Sequence, residues 1–248
     1  MTARVRTRLW VQYSVFWELD IMLGWIDPNN LGITALMFAE RLIIVLIALT
    51  CHEVAHGWAA KKLGDDTAQR FGRLSLNPLR HLDPIGFLCM LIAGFGWAKP
   101  VPINVRKFKN PKLGMALSSL AGPVMNLILA FVILIPYELI LKLVFDGTVV
   151  ITSKFTYNLL VVFGDFVFTF HFMNVTLAIF NFIPLPPLDG SRVVYTFLPE
   201  KLYFGVMKYE NVISVILMVV LITGLLDTPL TVAANAVSYG MRWLIPIM

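Results

Sequence analysis

The sequence predicts an all-α polytopic membrane protein, and three observations carry that prediction. Hydrophobic residues make up 58% of the 248 and charged residues 14%, against roughly a quarter charged in an ordinary soluble domain. Several stretches run about 20 residues with few or no charges, the length needed to cross a hydrocarbon core. The basic residues behind the formal charge of +5 gather between those stretches, as in cytoplasmic loops. That distribution argues against a nucleic-acid partner and for a lipid bilayer.

Taken in order, residues 9–27 are ambiguous. Arg4, Arg6 and Arg8 begin like a signal peptide, but Glu18 and Asp20 interrupt the apolar region and no small-residue cleavage site follows. Trp10, Tyr13, Phe16, Trp17 and Trp25 suit an interfacial helix, or a first span whose acids face protein. Residues 42–60 form a span between Glu40-Arg41 and Lys61-Lys62. Residues 113–137 are free of charge and form the clearest span, with Pro123 and Pro136 as expected bends. Residues 155–182 form another, interrupted by Asp165 and His171. Residues 211–226 and 228–248 complete a count of about five to six transmembrane helices. Residues 85–95 are apolar but too short to cross. They lead through Gly94, Gly96, Lys99, Pro100, Val101, Pro102, Ile103 and Asn104, which are too punctuated for a helix. A re-entrant, β-hairpin-like segment fits, and irregular backbone at membrane depth belongs beside protein or a wet cavity.

Ten of the 20 Lys and Arg residues lie within 61–112, with three acids, so this region is expected in the cytoplasm. The chain divides into an N-terminal amphipathic or first membrane segment (1–33), a catalytic membrane core (34–198) and C-terminal transmembrane helices (199–248). Cys51 and Cys89 lie in apolar segments without framework spacing and read as reduced structural thiols. Asp65-Asp66, after Gly64, reads as a solvated turn. His81 reads as a loop or capping residue, and His171 and Asp165 as interhelical polar contacts or part of a water path.

The chemistry starts at His52-Glu53-Val54-Ala55-His56. On a helix, HExxH sets two imidazoles one turn apart on one face, suited to a single Zn²⁺, with Glu53 as general base. His56 lies only about 7 Å along the axis from Lys61 and His52 roughly 16 Å from Arg41, so the ion would be immersed nearer the Lys61 side. Two histidines leave Zn²⁺ short of a third protein ligand. The candidate is Asp189, in Asn181-Phe182-Ile183-Pro184-Leu185-Pro186-Pro187-Leu188-Asp189-Gly190. Taken alone, Asp189-Gly190 is either an ordinary turn or a carboxylate carried back to the metal. Asn126 is an amide in an apolar span. It is either an oxyanion or substrate-backbone donor or an interhelical hydrogen bond.

Together HEVAH and NFIPLPPLDG resemble the site-2 protease family of intramembrane zinc metalloproteases. The second motif reads Asn181-x-x-Pro184-x-x-x-Leu188-Asp189-Gly190 without departure. The resemblance covers roughly residues 42–198 and is greatest to the small prokaryotic branch without PDZ or CBS domains. It implies one Zn²⁺ held by His52, His56 and Asp189, Glu53 as catalytic base, and Asn126 near the site. Asn181 is expected to orient Asp189 or its loop from behind the metal. The resemblance further implies that the segment holding Gly94, Gly96, Lys99, Pro100, Val101, Pro102, Ile103 and Asn104 takes an unwound transmembrane substrate by strand addition. The function expected is endoproteolysis of single-pass membrane proteins near the cytoplasmic side of a prokaryotic cell membrane. The competing readings are a membrane zinc transporter, which wants more acids and histidines along a path than four histidines supply, and an inactive protease-like scaffold. The sequence does not determine the oligomeric state.

Overall fold

The structure, a computed structural model, describes residues 31–86, 98–199, 202, 205–206 and 208–245. Its elements are helical: α1 (Leu31–Lys62), α2 (Thr67–Arg70), 3₁₀ turns at Pro78–Arg80 and Val105–Lys107, α3 (Pro111–Phe145), α4 (Lys154–Phe182), α5 (Asp189–Tyr195), α6 (Glu210–Ile222) and α7 (Asp227–Trp243). Among the described residues there is no named strand, only an isolated antiparallel bridge between Leu82 and Ala98.

Local chemistry sets the boundaries. Asn110 caps α3 by accepting from Leu113 N, with Pro111 at the first helical position. Ser153 caps α4 through Thr156 N. Ile183 ends α4 in extended conformation, φ −60° and ψ 128°, because Pro184 disfavours the helical region for the residue before it. Gly224, at φ +69°, takes the left-handed conformation that separates α6 from α7.

Among the described residues three helices are long and apolar enough to cross a membrane: Thr34–Lys62 within α1, then α3 and α4; the α6–α7 pair, bent by 84°, raises the number to four if counted as one span. The sequence suggested two separate spans in that last region. At 13 and 17 residues, α6 and α7 each fall short of the 20 or so residues a full crossing takes. Residues 9–27, the other candidate span, lie outside the described residues, as do Cys89, Gly94 and Gly96.

The chain divides into two compact units, one of Met1–Ile43 with Leu82–Lys99 and one of Ile44–His81 with Pro100–Met248. The smaller contains the start of α1 and the Leu82–Ala98 bridge. The larger contains everything that follows.

In the larger unit, α3, α4 and α7 pack through Ala130, Phe172, Val175 and Ala234, and Ile245, just past α7, packs with Leu134 of α3 and Val167 of α4. Lipid is as apolar as these side chains, so close packing and polar ties supply the association. Buried His171 joins Ala130 O at 2.9 Å to Ser238 Oγ at 2.8 Å. Arg242 Nε donates to buried Glu138 Oε1 at 2.8 Å. Interhelical hydrogen bonds in lipid average about 0.6 kcal/mol each, whereas stripping one partner from a buried ion pair costs about 3–5 kcal/mol.

Asp65 is not the solvated turn residue the sequence suggested. It is fully buried. Gly64, at φ +109°, turns the chain so that the Asp65 carboxylate accepts from Thr67 N at 3.0 Å, from Thr67 Oγ1, and from Asn104 N at 2.6 Å. Lys107 Nζ lies 3.6 Å away. Burial pushes the Asp65 carboxyl up, but the Thr67 hydroxyl, the Asn104 and Thr67 amides and Lys107 outweigh it and hold it below the usual carboxylate range. Asp65 thus ties the segment that follows Pro100 to the end of α1.

Candidate metal centre

His52 and His56 occupy one face of α1, one turn apart, both buried, with ring centroids 4.5 Å apart and planes at 86°. Asp189 reaches them from the far end of α4. After Ile183 the chain turns through Leu185 N to Ile183 O and Leu188 N to Leu185 O, at 2.8 and 2.9 Å, and α5 starts at Asp189. Gly190 makes this return feasible. A Cβ there would strike Phe182 O and lie 2.7 Å from Ile183 O, both backbone. The Asp189 Oδ2 atom lies 3.1 Å from His52 Nε2 and 3.1 Å from His56 Nε2.

These three side chains fit a zinc ion on two independent grounds. Tetrahedral bonds of about 2.0–2.1 Å put neighbouring ligand atoms roughly 3.3 Å apart, and both histidine–aspartate separations are 3.1 Å. The ring nitrogens facing away from Asp189 are engaged: His52 Nδ1 with Asn126 Oδ1 at 2.5 Å, and His56 Nδ1 with Ser118 O at 2.7 Å. A carbonyl acceptor at Nδ1 demands Nδ1–H, which leaves the Nε2 lone pair for a metal. An aspartate is ordinarily ionised at neutral pH, as a ligand must be.

Glu53, half-buried beside His52, accepts from Val101 N at 2.9 Å. The Pro100–Asn104 stretch is held at three points: Arg73 Nη2 to Pro100 O at 3.3 Å, Val101 N to Glu53, and Asn104 N to Asp65. Arg73 also donates to Arg80 O, and buried His81 bonds Ser75 O at 2.8 Å. Both therefore serve the loop architecture after α2.

Residues 40–225 match Peptidase family M50. The chain belongs to that family. It is 40% identical over 184 residues to the "Putative zinc metalloprotease YwhC" of Bacillus subtilis (strain 168), covering 74% of this chain and 80% of the relative. It is 28% identical to the "Putative zinc metalloprotease Rip2" of Mycolicibacterium smegmatis over 68% of this chain and 61% of that one. It is 25% identical to "Zinc metalloprotease MJ0392" of Methanocaldococcus jannaschii over 84% of this chain and 48% of that one. No solved structure matches. This M50 peptidase is a zinc metalloprotease, which closes the transporter and scaffold readings, and its apolar helices place it in a membrane.

Beside the candidate site lie two residues that sequence reasoning did not single out. A Cβ on Gly122 would meet His56 Nε2 and lie 2.6 Å from His52 Nε2, so α3 passes the metal-facing nitrogens at a distance only glycine allows. Its signal in the sequence was the Gly122-Pro123 step inside an apolar span. Asn174, fully buried in α4, accepts from Asn126 Nδ2 at 2.8 Å. Asn126 is itself fully buried, with Ala48 O as a second, longer acceptor at 3.4 Å. Asn181 donates to Leu177 O within α4 at 2.9 Å, and Lys99 ends the smaller unit.

Asp189→Ala is expected to lower zinc stoichiometry well below one per chain, because it leaves two neutral imidazoles where structural and catalytic sites supply at least three protein ligands. Metal analysis after dialysis checks this. A full complement of zinc would remove Asp189 from the ligand set.

Proposed function

We propose that this M50 peptidase hydrolyses peptide bonds of single-pass transmembrane proteins within the bilayer, toward its cytoplasmic side, in a prokaryotic cell membrane. The observation that carries the reading is the meeting of His52, His56 and Asp189 on a helix of membrane-crossing length and composition. The basic residues of 61–112 support the orientation. The proposed catalytic core is 34–198, followed by C-terminal membrane helices over 199–248 and preceded by a membrane-associated segment over 1–33. The N-terminal segment and the C-terminal pair bring the count to five or six.

Bound Zn²⁺ supplies Lewis acidity, bringing the pKa of water down to about 7 and polarising the scissile carbonyl. Glu53 is the base: it takes the proton as the water oxygen bonds to the carbonyl carbon, and returns it to the amide nitrogen as the C–N bond breaks. Its hydrogen bond from Val101 N fixes the carboxylate's direction. A transmembrane helix hides its carbonyls in its own hydrogen bonds, so the substrate must be unwound and held.

The Gly94, Gly96 and Lys99 to Asn104 segment is the proposed holder, a re-entrant hairpin adding the substrate as a strand. Successive groups of an extended chain alternate sides, so Val101 and Ile103 share the edge toward Glu53, while Pro100 and Pro102 leave the other edge without N–H. Asn181 is the proposed support of the turn toward Asp189.

The test is purified full-length protein in liposomes with a single-pass model substrate, the fragments mapped by mass spectrometry. Cuts inside the apolar segment near its cytoplasmic end are expected, and Ile103→Pro should reduce them while zinc remains bound. Cleavage confined to soluble loops would overturn the intramembrane reading. Unchanged cleavage by Ile103→Pro would overturn strand addition.

A further inference from the structure

We infer that Asn174 and Asn126 form a positioning relay across three helices that fixes the tautomer and ring orientation of His52 toward the metal. The inference rests on His52 being a zinc ligand and goes beyond it. Asn174, Asn126 and His52 are all buried, the two amides completely. The relay starts inside α4, where Asn174 Nδ2 donates to Phe170 O at 2.9 Å. That bond turns Asn174 Oδ1 outward, where it accepts from Asn126 Nδ2 at 2.8 Å. With its nitrogen so engaged, Asn126 presents Oδ1 to His52 Nδ1 at 2.5 Å. The ring must then carry its proton on Nδ1, and Nε2, 3.1 Å from Asp189 Oδ2, keeps its lone pair.

The alternative orientation is costly. Turning Asn126 over would set its NH₂ against His52 Nδ1 and its carbonyl against Asn174 Oδ1. Two acceptors would face each other in a dry interior, and the His52 proton would be driven to Nε2, where it blocks the metal. His56 has no such dependence, since its acceptor is the Ser118 backbone carbonyl. His52 is thus the one ligand of the two whose orientation is carried by side chains. This also places the contribution of Asn126 at the metal ligand: its amide donors face Asn174 and Ala48 O, which makes it a positioning residue.

The test measures zinc affinity by chelator competition and the visible spectrum of the Co²⁺-substituted protein, alongside cleavage, in full-length purified variants checked for helix content. Asn126→Leu removes the acceptor and is expected to weaken zinc about 10–100-fold, the usual effect of losing a group behind a metal ligand, and to alter the Co²⁺ bands. Asn174→Ala should shift both in the same direction. Asn126→Asp keeps an acceptor for His52 but sets its second oxygen against Asn174 Oδ1, so it should fall between wild type and Asn126→Leu in both readouts. Wild-type zinc affinity and Co²⁺ spectrum in both Asn126→Leu and Asn174→Ala would overturn the relay. So would an Asn126→Asp variant of wild-type helix content that binds zinc no more tightly than Asn126→Leu, since only the former keeps the acceptor for His52 Nδ1. His52→Ala run in parallel separates the two levels. Full zinc retention there sinks the ligand assignment itself, while its loss with intact binding in the asparagine variants sinks only the relay.

Discussion

Glu53→Gln is expected to keep its zinc and to lose about 10²–10⁴-fold in cleavage rate, the range that general acid–base catalysis supplies. Glutamine preserves the shape and an acceptor for the Val101 amide, now 2.9 Å from the Glu53 carboxylate, so the Pro100–Asn104 stretch should stay in place. The metal triad contains no part of Glu53, so zinc stoichiometry should stay at the wild-type value. What disappears is the only group beside the His–His–Asp cluster proposed to take a proton from water and return it to the departing amine. Cleavage of a reconstituted single-pass substrate, read together with zinc content, decides it. A variant that cleaves at the wild-type rate would sink Glu53 as the base. One that loses zinc would show that Glu53 belongs to the metal's support.

Gly122→Ala is expected to weaken zinc binding by about 100-fold or more, the upper end of what outer-shell changes produce, although the substituted residue is no ligand. The added methyl would sit 2.6 Å from His52 Nε2 and closer still to His56 Nε2. Ordinary contact needs about 3.5–4.0 Å, so both rings, or α3 itself, must move by roughly an ångström, whereas metal sites tolerate about 0.2 Å. Overpacking of this kind costs about 1–3 kcal/mol, short of the 5–15 kcal/mol that hold a domain folded. A folded protein with an impaired metal site is the expected result. Helix content and zinc affinity measured on the same preparation check it. Wild-type zinc affinity would show that the imidazoles have room to retreat.

Legibility in the sequence followed the range of the physics. The spacing of His52, Glu53 and His56 is set by one helical turn, and the apolar lengths of α1, α3 and α4 by bilayer thickness, so these could be read from residues near in sequence. The three prolines after Phe182 announced the end of α4 for the same reason. The bent α6–α7 pair was less legible. Composition marked both segments as apolar, but Gly224 places the break so that neither piece has full crossing length. Asp65 misled because Gly-Asp-Asp is ordinary turn composition, and only the arrival of Asn104 N from 39 residues away makes it a buried anchor.

The chain by itself therefore determined a membrane-embedded HExxH helix, a distal Asp-Gly motif and the zinc hydrolytic chemistry that the residue types allow. The tertiary structure alone decided which contacts make it a site. The Nδ1 acceptors of His52 and His56 come from 74 and 62 residues away, and Asp189 from 137. No periodicity encodes such separations. They follow from how α3 lies against α1 and α4 against α3, from a glycine at position 122 that lets α3 approach the imidazoles, and from hydrogen bonds that a dry interior does not leave unmade.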